Sequence, residues 1–177
     1  MKVTIVRNIF KTQDGFTILE IIAVLVILGI LVTVAVSRSG NYTAQVYTGA
    51  DVLKNHLRYA QTMAMNYNPN AGETIWGIKS DGTSYWLFQG VATENSLLLP
   101  DDTQYVTGDR RVDLTAKKIR FNAGFTVYFD NFGIPYSAYT NSTTNTPLAD
   151  DLIIVVTPLS GSSSKSVTIT PLTGFIP

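Results

Sequence analysis

Apolar positions divide this chain into three stretches of different period. Between residues 16 and 36 almost every side chain is aliphatic, with Glu20 the one charge and Gly29 the one helix-weakening residue. About 21 residues rising about 1.5 Å each reach about 30 Å, the thickness of a bilayer's hydrocarbon core, which predicts a spanning helix. Lys2, Arg7 and Lys11 precede the run, with Asp14 the only acid among them. Basic residues ahead of an apolar span predict that this end stays in the cytoplasm and that everything after Arg38 lies on the far side.

From residue 42 to 68 the spacing changes. Val46, Ala50, Leu53, Leu57, Ala60, Ala64 and Tyr67 recur every three or four positions, with Asp51, Lys54, Asn55, Arg58 and Gln61 between them. That is the stripe of an amphipathic helix, and Pro69 and Gly72 supply its stop. The two stretches read as one long helix, loosened around residues 37–42. The chain's one histidine, His56, falls among the polar positions and reads as a solvated helix residue.

Beyond Pro69 alternation takes over. The segment "TIWGIKSDGTSYWLFQG" reads as strand, turn, strand, with Ser80-Asp81-Gly82-Thr83 as the hairpin turn. Further strands are expected over 118–121, 125–129, 152–157 and 165–170, the last two joined by the Gly/Ser loop "PLSGSSS". The stretch "SAYTNSTTNTPLADD" reads as a hydroxyl-rich surface loop. No helical pattern recurs, so the expected class is α+β, a long N-terminal helix packed on antiparallel sheet.

Composition narrows the functions available. A chain of 177 residues holds one ordinary domain plus a membrane segment. A net charge of +0 with only 15% charged residues argues against a protein devoted to polyanions. The absence of cysteine removes disulfides, thiolate nucleophiles and Cys-ligated metals.

Gly15 to Glu20, "GFTILE", resembles the cleavage motif of type IV prepilins, here directly after a basic leader and abutting the apolar run. The resemblance implies that prepilin peptidase cuts between Gly15 and Phe16 and N-methylates Phe16. The competing reading is an ordinary signal peptide cut near Ala35-Val36-Ser37. Its apolar region would exceed the roughly 7–15 residues of such signals, and Glu20 would have no role.

Cleavage makes Glu20 intelligible. The new amine at Phe16, with a reference pKa of about 7.7–8.0, is largely cationic at neutral pH, and the positive end of the helix dipole adds to it. A carboxylate one turn in can neutralise its own N-terminus or that of a neighbouring subunit, and the second option directs assembly. The bland alternative is a carboxylate that merely snorkels at headgroup level. Many type IV pilins carry a proline after the glycine that Gly29 matches; here "VAVSRSG" has none, so the helix is expected to kink less.

The rest of the chain is similar in outline to the GspH/FimT family of minor pilins and pseudopilins. The resemblance is carried by "LRYAQTMAMNYN" at the helix end, a hairpin with Trp76 and Trp86, "YFDNFGIP", and the closing "VTITPLTGFI". It implies a leader over 1–15, a transmembrane or filament-core helix over 16–37, an amphipathic continuation over 38–68 and a periplasmic β-domain over 69–177. It further implies a non-catalytic subunit of a type II secretion pseudopilus, anchored in the inner membrane before assembly. Its partners would be prepilin peptidase, membrane lipid and other pilins or pseudopilins. A type IV pilus minor pilin of FimT type, acting in assembly or DNA uptake, is the nearest alternative.

Other chemistry is weakly represented. Asp101-Asp102 and Asp150-Asp151 invite a glycosidase or calcium reading, but adjacent loop acids point apart and neither pair has a partner cluster. No nucleophile motif and no phosphate-cradling loop is present, so no enzyme activity, cofactor or metal is expected. Arg110, Arg111, Lys117, Lys118 and Arg120 form the one basic concentration, a candidate nucleic-acid contact. Asp109 and Asp113 dilute it and the C-terminal end carries no cation, which disfavours that use. A binding module built on this stretch or on aromatic loops, as a DNA or adhesive receptor, is the second class of function.

Overall fold

The computed structural model describes residues 16–38, 42–66, 75–100 and 104–177. The leader 1–15 with Gly15, and also Tyr67, Pro69, Gly72, Asp101 and Asp102, lie outside the described residues. The chain divides into two units, Met1–Gly40 and Asn41–Pro177.

In the first unit, helix α1 runs over Ile18–Arg38. Its start is set by Thr17, whose Oγ1 accepts the Glu20 N–H at 3.2 Å while its carbonyl takes the N–H of Ile21 at 3.2 Å. Thr-x-x-Glu is the sequence form of a capping box, and such a cap is worth about 1 kcal/mol to a helix. Further along, Thr33 Oγ1 donates to the Gly29 carbonyl at 2.8 Å, so this hydroxyl is satisfied inside its own helix. The large apolar side chains through Val34 are 47–79% exposed. A helix apolar all round is one that buries itself in lipid or in other protein.

Among the described residues no helix is long and apolar enough to cross a membrane. The described side chains of α1 end at Val34.

The second unit is built on α2, Thr43–Met65. The long helix expected to loosen around residues 37–42 is described over Ile18–Arg38 and Thr43–Met65, with residues 39–41 outside the described residues. Val46, Ala50, Leu53, Leu57, Ala60 and Ala64 are all fully buried, as their spacing predicts. Each full burial of a Val or Leu side chain contributes about 1.5–3 kcal/mol.

Against this stripe lie two antiparallel sheets. The larger joins β1 (Trp76–Ser80), β2 (Ser84–Gln89), β3 (Val112–Asp113), β5 (Phe125–Phe129), β6 (Pro135–Asn141) and β7 (Thr144–Pro147) in the order β3-β2-β1-β5-β6-β7. The smaller joins β4 (Ile119–Phe121), β8 (Leu152–Pro158) and β9 (Lys165–Ile169) in the order β4-β8-β9. Ile78, Leu87, Val127 and Phe129 from the first and Ile154, Val156, Val167 and Ile169 from the second share one core with the helix. An α+β, pilin-like arrangement follows.

Local chemistry sets the β1–β2 hairpin. Asp81 Oδ1 accepts the N–H groups of Thr83 and Ser84 at 2.8 and 2.7 Å, and Gly82 supplies the left-handed turn residue at φ 96°. Burial alone would raise the Asp81 pKa; hydrogen bonds from Ser84 and Thr83 outweigh it and hold the carboxyl below its ordinary value.

Two expectations are corrected here. The stretch read as a surface loop after Tyr136 is the β6–β7 hairpin, closed by Asn141 Oδ1 accepting the N–H groups of Thr143 and Thr144 at 3.0 and 2.7 Å. Both of its faces are largely exposed, so no apolar alternation marks it. His56 is buried rather than solvated. Its Nδ1 lies 2.8 Å from the Tyr85 hydroxyl and its Nε2 2.9 Å from the Pro100 carbonyl. A carbonyl only accepts, so Nε2 carries the proton and Nδ1 accepts from Tyr85 in the neutral ring.

The C-terminal segment is tied back to α2. Gln61 Nε2 reaches the carbonyls of Gly133 at 2.9 Å and Gly174 at 3.1 Å, and Arg58 donates to the Ile176 carbonyl at 2.7 Å. Helix, β5–β6 turn and tail are joined at one point.

Candidate processing and assembly site

Phe16 and Glu20 sit at the start of α1, both exposed, with the Thr17 cap between them. The cap occupies the backbone N–H of Glu20 and fixes the first turn. The carboxylate thus belongs to the N-terminal turn of a helix, where negative charge is stabilised by the dipole. The role of Thr17 is legible in the sequence as Thr-x-x-Glu, a signal the Gly15–Glu20 motif overlies. Gly15, on the other side of the expected scissile bond, lies outside the described residues.

Of the candidate nucleic-acid residues, Arg111 is engaged within the protein. Arg111 lies over the Trp86 ring, 4.1 Å from its centroid, within 3.0 Å of Asp109 and 3.7 Å of Glu94. Its Nε is buried and has the charge contact with Asp109 without hydrogen-bond geometry. Lys79 pairs with the same Glu94 and stands 5.8 Å from the same indole, whose N–H donates to the Thr93 carbonyl at 2.6 Å. This is a structural clamp on Trp86, a role for Arg111 that nothing in the sequence signalled.

The acids beside the basic residues are engaged as well. Ser96 Oγ and the Arg110 N–H hold the Asp109 carboxyl below its ordinary pKa, and the Thr115 hydroxyl and Ala116 N–H do the same for Asp113. The hydrogen bond from Lys79 lowers Glu94. Lys118 is exposed with φ 62°, in the turn before β4, and Arg120 is the exposed middle residue of β4. Arg110 is exposed and Lys117 is half-buried.

Asp150 and Asp151 are exposed loop acids. Among the described residues no group of three or more His, Asp or Glu could hold a metal ion.

Residues 10–36 match the family described as the Prokaryotic N-terminal methylation motif. No curated protein and no solved structure matches the chain. The match brackets both Phe16 and Glu20 and runs into α1, ending before α2. It supports a type IV pilin-like protein, a substrate of prepilin peptidase that assembles with other pilins. That motif marks a class of structural, non-catalytic subunits.

Proposed function

We propose that this chain is a minor pseudopilin-like subunit of GspH/FimT type, cut between Gly15 and Phe16, N-methylated at Phe16 and assembled into a type II secretion pseudopilus. In this reading the α1 segment sits in the inner membrane before assembly, with the leader cytoplasmic and the β-unit periplasmic. Glu20 then pairs with the cleaved, cationic N-terminus of a neighbouring subunit. In low dielectric such a pair is favourable because each charge would otherwise be stranded.

One observation carries the reading. An aliphatic helix exposed along its described length begins, within one turn, at a capped Thr-x-x-Glu inside the methylation motif. Such a helix needs a covering of lipid or of like helices, and the motif supplies the class of protein that moves between the two. In this reading the β-unit makes lateral or tip contacts in the filament. The basic residues give little support to a nucleic-acid role, because Arg111 is committed to Trp86, Asp109 and Glu94.

The test is mass spectrometry of the mature N-terminus after co-expression with a prepilin peptidase. Methylated Phe16 supports the reading. A start at Arg38, or an intact leader in assembled filaments, overturns it. Secretion, twitching and DNA uptake in a deletion strain then separate a secretion pseudopilus from a type IV pilus.

A further inference from the structure

We propose that the face of the six-stranded sheet turned away from α2 is a binding platform for an uncharged glycan, centred on Tyr128, Tyr136 and Tyr139. The register lines up an aromatic row across four strands. Phe88 is opposite Gly77, Gly77 opposite Tyr128, and Tyr128 opposite Tyr136. The centroids of Phe88 and Tyr128 are 5.1 Å apart at 76°, those of Tyr136 and Tyr139 are 5.4 Å apart at 79°, and Tyr128 meets Tyr139 at 6.4 Å.

Two features build this row. Gly77 leaves the gap through which Phe88 reaches Tyr128: a Cβ there would collide with the Val127 carbonyl and lie 2.5 Å from Phe88 Cζ. Tyr139 stands three positions after Tyr136, and in a regular strand the two would point to opposite faces. The register shift between Tyr136 and Ala138 puts them side by side. A bulge that re-aims one side chain is a placed feature of a strand. Ordinary cross-strand packing of Tyr128 on Tyr136 does not require it.

The chemistry around the row selects the ligand. From residue 131 to 149 there is no Asp, Glu, Lys or Arg, and the hairpin is rich in Ser, Thr, Asn and Tyr. Asp130, just before this stretch, is buried and accepts from the Tyr136 hydroxyl at 3.0 Å. Lys79 and Arg111, cations that share this face, are paired, the first with Glu94 and the second with Asp109 and Glu94. None of the exposed large apolar side chains belongs to β5, β6 or β7, and Tyr128, Tyr136 and Tyr139 are half-buried with Phe88 fully buried beside them, so the face lacks the greasy centre of a protein interface. A polyanion would find no uncompensated cation to displace its counterions. What remains is the part-exposed row of tyrosine rings, against which the C–H face of a sugar can stack, rimmed by neutral hydroxyls and amides that pair with sugar hydroxyls.

The experiment is affinity electrophoresis of the full chain in native gels containing hydroxyethylcellulose, dextran or glycogen, with alginate as an anionic comparison. Retardation in at least one neutral gel is expected, unchanged by added salt. Tyr139→Ala should restore the mobility seen without polysaccharide, while Tyr139→Phe, which keeps the ring, should retain most of the retardation. A melting curve for each variant separates lost binding from lost folding. No retardation in any neutral gel, as a face serving another protein would give, overturns the proposal. So does retardation by alginate alone, or a Tyr139→Ala chain that runs as the wild type does. Leader cleavage is read independently, so either inference can fail with the other standing.

Discussion

The imidazole of His56 and the phenol of Tyr85 meet 2.8 Å apart, between α2 and β2, and their rings are tilted at 42° with centroids 5.8 Å apart. The pair fixes the ring's tautomer, and its other nitrogen holds the loop at Pro100. Removing Tyr85's hydroxyl leaves a buried acceptor unpaired, which costs about 1–3 kcal/mol. Tyr85→Phe should therefore lower stability by that order in urea denaturation. His56→Ala should cost at least as much, and the double variant less than the sum of the two. Additive losses would show that the contact carries no coupling.

The Asp130–Tyr136 contact predicts an alkaline weakness. Burial first, then the hydrogen bond to Asp130 and its charge, push the Tyr136 phenol up to about 12 from 10.0. The folded state thus keeps this proton after the unfolded chain has lost it. The contribution is fully present below about pH 10 and is lost as pH rises from there through about 12. Tyr136→Phe should lose less stability than the wild type between pH 9 and pH 12, read as melting temperature across that range. A parallel decline in both proteins would contradict it.

Gln61 predicts a local rather than global defect. Its amide joins carbonyls of the β5–β6 turn and of the tail. Gln61→Leu should cost about 1–2 kcal/mol and speed hydrogen exchange in residues 171–176. Unchanged protection in that segment would show the tail to be held by Ile176's burial and Arg58 instead.

For Glu20 the expected signature is a split. Glu20→Ala should leave removal of the leader largely intact and reduce incorporation into filaments several-fold, measured by sheared-filament recovery against total processed protein. Normal incorporation would refute the pairing role.

Much of this was legible in residue spacing, and the failures have physical causes. Six of the seven positions assigned to the α2 stripe are buried, and the seventh, Tyr67, falls outside the described residues. His56 was misread by its chemistry rather than by its position: with Leu53 and Ala60 it follows the same three-and-four spacing. The strands at 125–129 and 152–157 are readable from their apolar and β-branched residues, and their burial alternates because one face packs on the core. The β6–β7 hairpin lacks a buried face and offers only Tyr and Thr content as a signal. Nor could spacing reveal two sheets, since Ile119 lies between β3 and β5 in sequence yet pairs with Pro158 of β8. At the processing site the residue types were readable, whereas the use of Arg111 as a lid on Trp86 depends on a loop approach no local pattern encodes.

Gln61's reach to Gly174 also says something about timing. The Gln61 amide waits more than a hundred positions for its carbonyl, and β9, which completes the floor under α2, follows that helix at a similar remove. Contacts of such separation form late and slowly. A ribosome or translocon therefore releases α2 with its greasy stripe still bare, and the unit closes only once β9 and the segment after it have followed.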